Sequence, residues 1–225
     1  MSEAPEAGQA DAATEDAAET PAAEAVDKTE DLIADLYRNP EMKDMVVDYF
    51  GAVAGSGDIA SLILENALAF KVPPALAFAV CWEESRFNPR AVNLKNRNES
   101  IDRGLFQLND RSFPALQSED FFDPAVNIYY GIGHLRWCLN TGETEIAALA
   151  MYNAGTNRVR NLGTPKNTLD YVHRVLEYRQ KLEHAFSIAV LDAQDRPAGD
   201  EAAVETVEIV EVSRKQRFFR LSPVR

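Results

Sequence analysis

Hydrophobic positions along the chain fall into helical repeats separated by polar breaks, with one stretch that is apolar all round. From Asp31 to Phe50 the apolar residues Leu32, Ile33, Leu36, Tyr37, Met42, Met45, Val46, Tyr49 and Phe50 recur at helical spacing. A break at Asn39-Pro40 divides them into two predicted short amphipathic helices. Gly51 to Gly57 is a small-residue break, after which Asp58 is placed to cap a helix carrying Ile59, Leu62, Ile63, Leu64, Ala67 and Phe70. Pro74 to Trp82 carries no charge, which predicts a helix buried nearly all round, with Pro73 and Pro74 fitting its first turn. Asp102 to Asn109 reads as a small hairpin turning at Gly104. Asp123 and Pro124 then open a helix to Leu139, whose Gly131 and Gly133 imply close packing. A further helix runs from Glu143 to Ala154 and is closed by Gly155. Asn157 to Pro165 reads as a connection, and Thr168 to Phe186 as a closing helix with Leu169, Val172, Val175, Leu176 and Leu182 inward.

Composition separates this helical body from its ends. The chain has 225 residues, 46% of them hydrophobic, enough for one helical domain with tails. Residues 1–30 hold nine acids against one lysine and no aromatic residue, so they are expected to form a disordered acidic tail. That tail accounts for eight of the thirteen net negative charges, and the mildly acidic remainder argues against a nucleic-acid surface. Four regions are expected: the tail 1–30, short helices packing on the core at 31–57, the main domain at 58–186, and a C-terminal tail at 187–225. Within the last, Ala202 to Val212 alternates enough for one strand, and Arg214 to Arg220 is basic and aromatic.

The residue with the clearest chemical promise is Glu84, where the apolar helix meets a loop. A carboxyl at a helix C-terminus faces the negative end of the dipole, and apolar neighbours disfavour its charge, so both effects raise its pKa. A glutamic acid protonated near neutral pH can donate a proton to a leaving group. The alternative is a solvated helix end, and adjacent Glu83, about 100° away around the helix, is equally acidic. His134, His173 and His184 lack carboxylate or cysteine partners at metal-binding spacing and read as structural or surface residues, so no metal is expected. Cys81 and Cys138 read either as a disulfide between neighbouring helices or as two small buried residues.

Three blocks in order, Glu84-Ser85, Gly104-Leu105-Phe106-Gln107 and Ala150-Met151-Tyr152-Asn153-Ala154-Gly155, resemble the signatures of the soluble lytic transglycosylases. The resemblance spans about residues 58 to 185. It implies a mainly α, lysozyme-like α+β domain with a small β-hairpin, flanked by disordered tails. It also implies that Glu84 is the catalytic acid/base and that Ser85, Gln107, Tyr152 and Asn153 line a sugar cleft. Tyr171 matches the tyrosine of the family's last core helix. The reaction implied is cleavage of the MurNAc-β-1,4-GlcNAc bond of peptidoglycan with a 1,6-anhydro product and no cofactor.

One segment departs from that pattern. Asn93 to Asp102 lengthens the usual connection, and Asp102 to Asn109 also resembles the matching strand of animal lysozymes, where an aspartate two residues before the glycine is the second catalytic carboxylate. Asp102 holds that place, and a retaining glycosidase needs its carboxyls roughly 5–5.5 Å apart. A muramidase using Glu84 and Asp102 is therefore an alternative, and Asp102 as a loop-ordering residue is another. A third reading is a non-catalytic wall-binding module of an envelope assembly, docking through the flanking helices or tails. A periplasmic or envelope location and a monomer are expected. Met1 to Glu6 lacks the features of a secretory signal, so the expectation is a mature or trimmed form whose acidic stretch is a tether.

Overall fold

The computed structural model describes residues 31–96 and 98–195. The acidic tail, the strand expected at 202–212 and the basic-aromatic segment lie outside the described residues. Among the described residues there are eight α-helices and one three-stranded antiparallel sheet. The helices are α1 (Leu32–Arg38), α2 (Lys43–Ala54), α3 (Gly57–Ala69), α4 (Pro74–Ser85), α5 (Pro124–Gly142), α6 (Glu145–Ala154), α7 (Thr156–Leu162) and α8 (Lys166–Asp195). The strands are β1 (Val92–Asn93), β2 (Asp102–Arg103) and β3 (Leu108–Asn109). This is the expected mainly helical arrangement with a small sheet, with one strand more than a hairpin. No single helix among the described residues is long and apolar enough to cross a membrane.

Helix α4 is the axis of the core, and every residue from Pro74 to Trp82 is buried. Burying each large apolar side chain is worth about 1.5–3 kcal/mol relative to leaving it in water. Phe78 meets Phe50 of α2 with ring centroids 4.4 Å apart, and Phe50 meets Phe186 of α8 at 5.5 Å. The N-terminal helices thus reach the central core, contributing Ile33, Tyr37, Val46 and Phe50 to the same buried cluster as α4. Trp82 stacks on Tyr178 at 5.1 Å, which fixes the end of α4 against α8.

Several boundaries differ from expectation for local reasons. Ser56, not Asp58, caps α3, its hydroxyl accepting from the Ile59 N–H at 3.3 Å. The expected break at 51–57 is mostly helical, because α2 runs to Ala54 before Gly55 turns left-handed. The expected connection after Gly155 contains α7, a short helix with no buried residue. Helix α8 continues past Phe186 to Asp195, carrying the apolar repeat on to buried Val190. The start of α5 is capped as expected, by Asp123 on Ala125 and Val126, whereas α6 starts at Glu145 rather than Glu143, because Glu143 is left-handed at φ 62° and Thr144 caps the helix on Ala147.

Candidate active site

The last turn of α4 carries Glu83, Glu84 and Ser85, and the chain leaves it abruptly because Arg86 and Phe87 are both left-handed at φ 57°. Such backbone is costly for non-glycine residues. Arg86 offsets the cost by donating to the Trp82 carbonyl at 2.7 Å and to Glu83 at 2.9 Å, with its guanidinium 4.5 Å above the Trp82 ring. The phenol of buried Tyr171, on α8, donates to Glu84 Oε1 at 2.7 Å. Burial pushes the Glu84 carboxyl up to about 7. The Tyr171 bond opposes this, the charges of Asp102 and Glu83 add to it, and Arg86 works against it. The residue as a whole keeps partial contact with solvent, so its dense surroundings do not seal it off.

The sheet presents Asp102 to the same site. Asp102 lies on the middle strand, with Asn93 of β1 and Asn109 of β3 as its cross-strand partners. Paired residues of an antiparallel ladder share a face, so both carboxamides reach the same carboxyl. Asp102 Oδ2 accepts from Asn93 and Asn96 at 2.9 Å each, and Oδ1 accepts from Asn109 at 2.7 Å. Asn109 also donates to the buried Ser100 hydroxyl at 2.7 Å, and Ser100 donates to Asn98 at 2.7 Å. The lengthened loop is therefore a bed of short amides around one aspartate.

The Gly104-Leu105-Phe106-Gln107 turn is pinned from both sides. A Cβ on Gly104 would fall 2.2 Å from the Phe121 carbonyl, and its φ of 78° also demands glycine. Buried Asn127 of α5 reads the turn with its whole amide: it donates to the Arg103 and Phe121 carbonyls and accepts from the Phe106 N–H at 2.8 Å. Gly131, one turn further along α5, leaves room for the Phe106 ring, which a Cβ would meet at 2.3 Å. Tyr152 at the end of α6 donates to the Phe106 carbonyl at 3.0 Å.

The remaining residues singled out from sequence fall close by. Gln107 is left-handed at φ 49°, and its amide nitrogen is held by the carbonyls of Gly104 at 2.9 Å and Ala91 at 3.2 Å. Tyr152 is partly buried, and burial together with the charges of Glu84 and Asp102 pushes its phenol upward, which places these three groups within electrostatic reach of one another. Asn153 is exposed, and its Oδ1 accepts from buried Thr168 at 2.9 Å. Ser85 is buried and its hydroxyl returns to the Cys81 carbonyl at 3.2 Å, so it braces the helix end. Tyr171 likewise acts on Glu84 from within the core.

Cys81 and Cys138 are both free and buried, so the two-small-residues reading holds. Burial pushes the Cys138 thiol up to about 12 and the Cys81 thiol higher, which removes both as nucleophiles near neutral pH. His134 stacks on Trp137 and leans on Tyr152, with ring centroids 5.7 and 5.1 Å away, and burial lowers its pKa. That is a packing role.

Sequence reasoning passed over Asn96, Asn109, Asn127 and the partners of Glu83. The density of asparagine from Asn93 to Asn109 was the available signal for the first two. Nothing local marks Asn127, whose partners lie as many as 24 residues away. Glu83 is ion-paired twice, to Arg86 at 2.9 Å and to Arg174 of α8 at 2.8 Å.

Residues 61–173 match the family model described as "Transglycosylase SLT domain". The chain is 28% identical over 113 residues to Protein IpgF of Shigella flexneri, which covers 48% of this chain and 74% of that protein. It is 29% identical over 92 residues to the X polypeptide of Escherichia coli, covering 38% of this chain and 54% of that one. An inactive mutant of lytic transglycosylase Slt from Pseudomonas aeruginosa superposes with a TM-score of 0.44 at 24% identity, over 54% of this chain and 24% of the Slt chain. With the family model spanning half of its length, the chain belongs to the transglycosylase SLT domain family.

Proposed function

We propose that the protein is a peptidoglycan lytic transglycosylase that cleaves the MurNAc-β-1,4-GlcNAc bond with Glu84 as its acid and base. The observation that carries this reading is the Glu84 carboxyl at the buried end of α4, gripped by the Tyr171 phenol and lifted to about 7. Such a group holds a proton where free glutamic acid does not. Glu84 gives that proton to the glycosidic oxygen, the C1–O bond breaks, and GlcNAc departs with its 4-hydroxyl restored. The Glu84 carboxylate then takes the proton of the MurNAc C6 hydroxyl, whose oxygen bonds to C1 and closes the 1,6-anhydro ring. The substrate's N-acetyl group assists at C1. Gln107, Tyr152 and Asn153 border the bound strand, while Tyr171 and Ser85 hold the acid in place. Peptidoglycan strands are the partner, and the site of action is the cell envelope.

A second reading is favoured by one observation: the charge of Asp102 acts on both Glu84 and Tyr152. In it Asp102 supports the positive charge at C1 and water completes the reaction, giving a muramidase. Digestion of purified peptidoglycan, followed by mass spectrometry, tests both. The transglycosylase yields muropeptides one water lighter than hydrolysis products, and Glu84→Gln yields none. Reducing-end MurNAc would overturn it in favour of the muramidase, and no release by the wild type would overturn both.

A further inference from the structure

Two neighbouring acids end α4, and two residues of α8, three positions apart, hold them differently. Tyr171 donates to Glu84 at 2.7 Å, and Arg174 donates to Glu83 at 2.8 Å. Residues three apart lie on one face of a helix, so a single face of α8 grips both acids. The Glu83 side chain is 5% exposed, whereas its partners Arg174 and Arg86 are 40% and 26% exposed. A buried carboxylate between two partly hydrated guanidiniums is costly to break, because either loss leaves a charge without full compensation.

We propose that Glu83 and Arg174 are positioning residues, an ion pair that fixes the register of α8 on α4 so that Tyr171 meets Glu84, and sets the charge that Glu84 feels. The inference rests on the reading of Glu84 as the acid. The groups acting on Glu84 are Glu83 and Arg86 at α4, Asp102 on β2 and Tyr171 on α8, while the Glu84 charge in turn acts on the Cys81 thiol of α4 and the Tyr152 phenol of α6. Among these, the Glu83 charge raises the Glu84 pKa while the Tyr171 bond lowers it. The Glu83 charge and the Tyr171 contact that Arg174 supports therefore pull in opposite directions. Glu83→Gln removes the charge but keeps an oxygen that accepts from Arg174, so the register of α8 is retained and Glu84 ionises more easily. Removing Arg174 leaves the Glu83 charge less compensated and frees the Tyr171 face, so ionisation becomes harder.

A general acid must be protonated, so cleavage falls as pH rises through the Glu84 pKa. Glu83→Gln is expected to move that alkaline limb down by about half a pH unit, and Arg174→Gln up by about as much, the scale of one nearby charge near a protein surface. Arg174→Lys, which keeps the charge, should lie between Arg174→Gln and the wild type. It also carries the same upward test if Arg174→Gln does not fold. The Glu84 carboxyl carbon, followed by NMR in 13C-glutamate protein, should titrate with the same opposed displacements. Limbs and midpoints that stay put, or that move in the same direction in both variants, would overturn the inference. The NMR titration needs no turnover. Opposed midpoints in a protein that cleaves nothing would therefore keep the ion pair's role and reject the enzymatic reading, whereas cleavage with unmoved midpoints would do the reverse.

Discussion

The two candidate carboxyl groups, Glu84 and Asp102, are the same chemical group in opposite settings. Glu84 sits at the end of a helix that is apolar all round, with one neutral phenol as its close donor, and burial dominates. Asp102 sits in the middle of a small sheet, where three carboxamides from Asn93, Asn96 and Asn109 point at its two oxygens. One environment withholds hydrogen bonds and favours a proton. The other supplies them and orders an acceptor. Carboxyls in one site acquire separate tasks through such differences in surroundings, since sequence chemistry alone cannot distinguish them.

Breaking the helix side of the comparison should have the largest effect. Glu84→Gln is expected to slow glycan cleavage by about a thousandfold, the range of a lost general acid, in an assay of soluble fragments. Tyr171→Phe should cost about tenfold, the value of one buried hydrogen bond of roughly 1.4 kcal/mol, and should move the alkaline limb to higher pH because a pKa-lowering bond is gone.

Stability should respond to the same group with a definite sign. The folded Glu84 pKa, about 7, lies above the ordinary 4.5, so between those values the folded chain binds a proton that the unfolded chain does not. Stability therefore falls as pH rises from about 4.5 to about 7, by on the order of 2 kcal/mol after discounting for water at the site. Denaturant unfolding at pH 5 and pH 8 should show this loss in the wild type and not in Glu84→Gln. On the sheet side, Asn109→Leu removes donors to Asp102 and Ser100 and should cost about 1–2 kcal/mol, read as a lower denaturation midpoint.

What could be read from sequence tracks how local its cause is. The charge-free run from Pro74 to Trp82 sufficed to identify the central helix, and the place of Glu84 at its end made it a candidate that only the family resemblance singled out. The depth of α2 did not follow, because Phe50 finds Phe186 only after the chain has folded back. Helix α7 was missed because Thr156 to Leu162 buries nothing, leaving no apolar period to detect. Asp102 was legible as a candidate, but the ring of asparagines depends on the pairing of β2 with both neighbours, and only β2–β3 was foreseen. The hold of Tyr171 on Glu84 joins residues 87 positions apart, and only family resemblance pointed to that tyrosine.

The central claim is that burial at the end of α4 keeps Glu84 protonated near neutral pH. Its most direct test is an NMR titration of the 13C-labelled Glu84 carboxyl in the folded wild type, assigned by its absence in Glu84→Gln. A midpoint near 7 is predicted. A midpoint near the ordinary 4.5 would contradict the account, because Glu84 would then be ionised throughout the range in which a general acid must hold its proton.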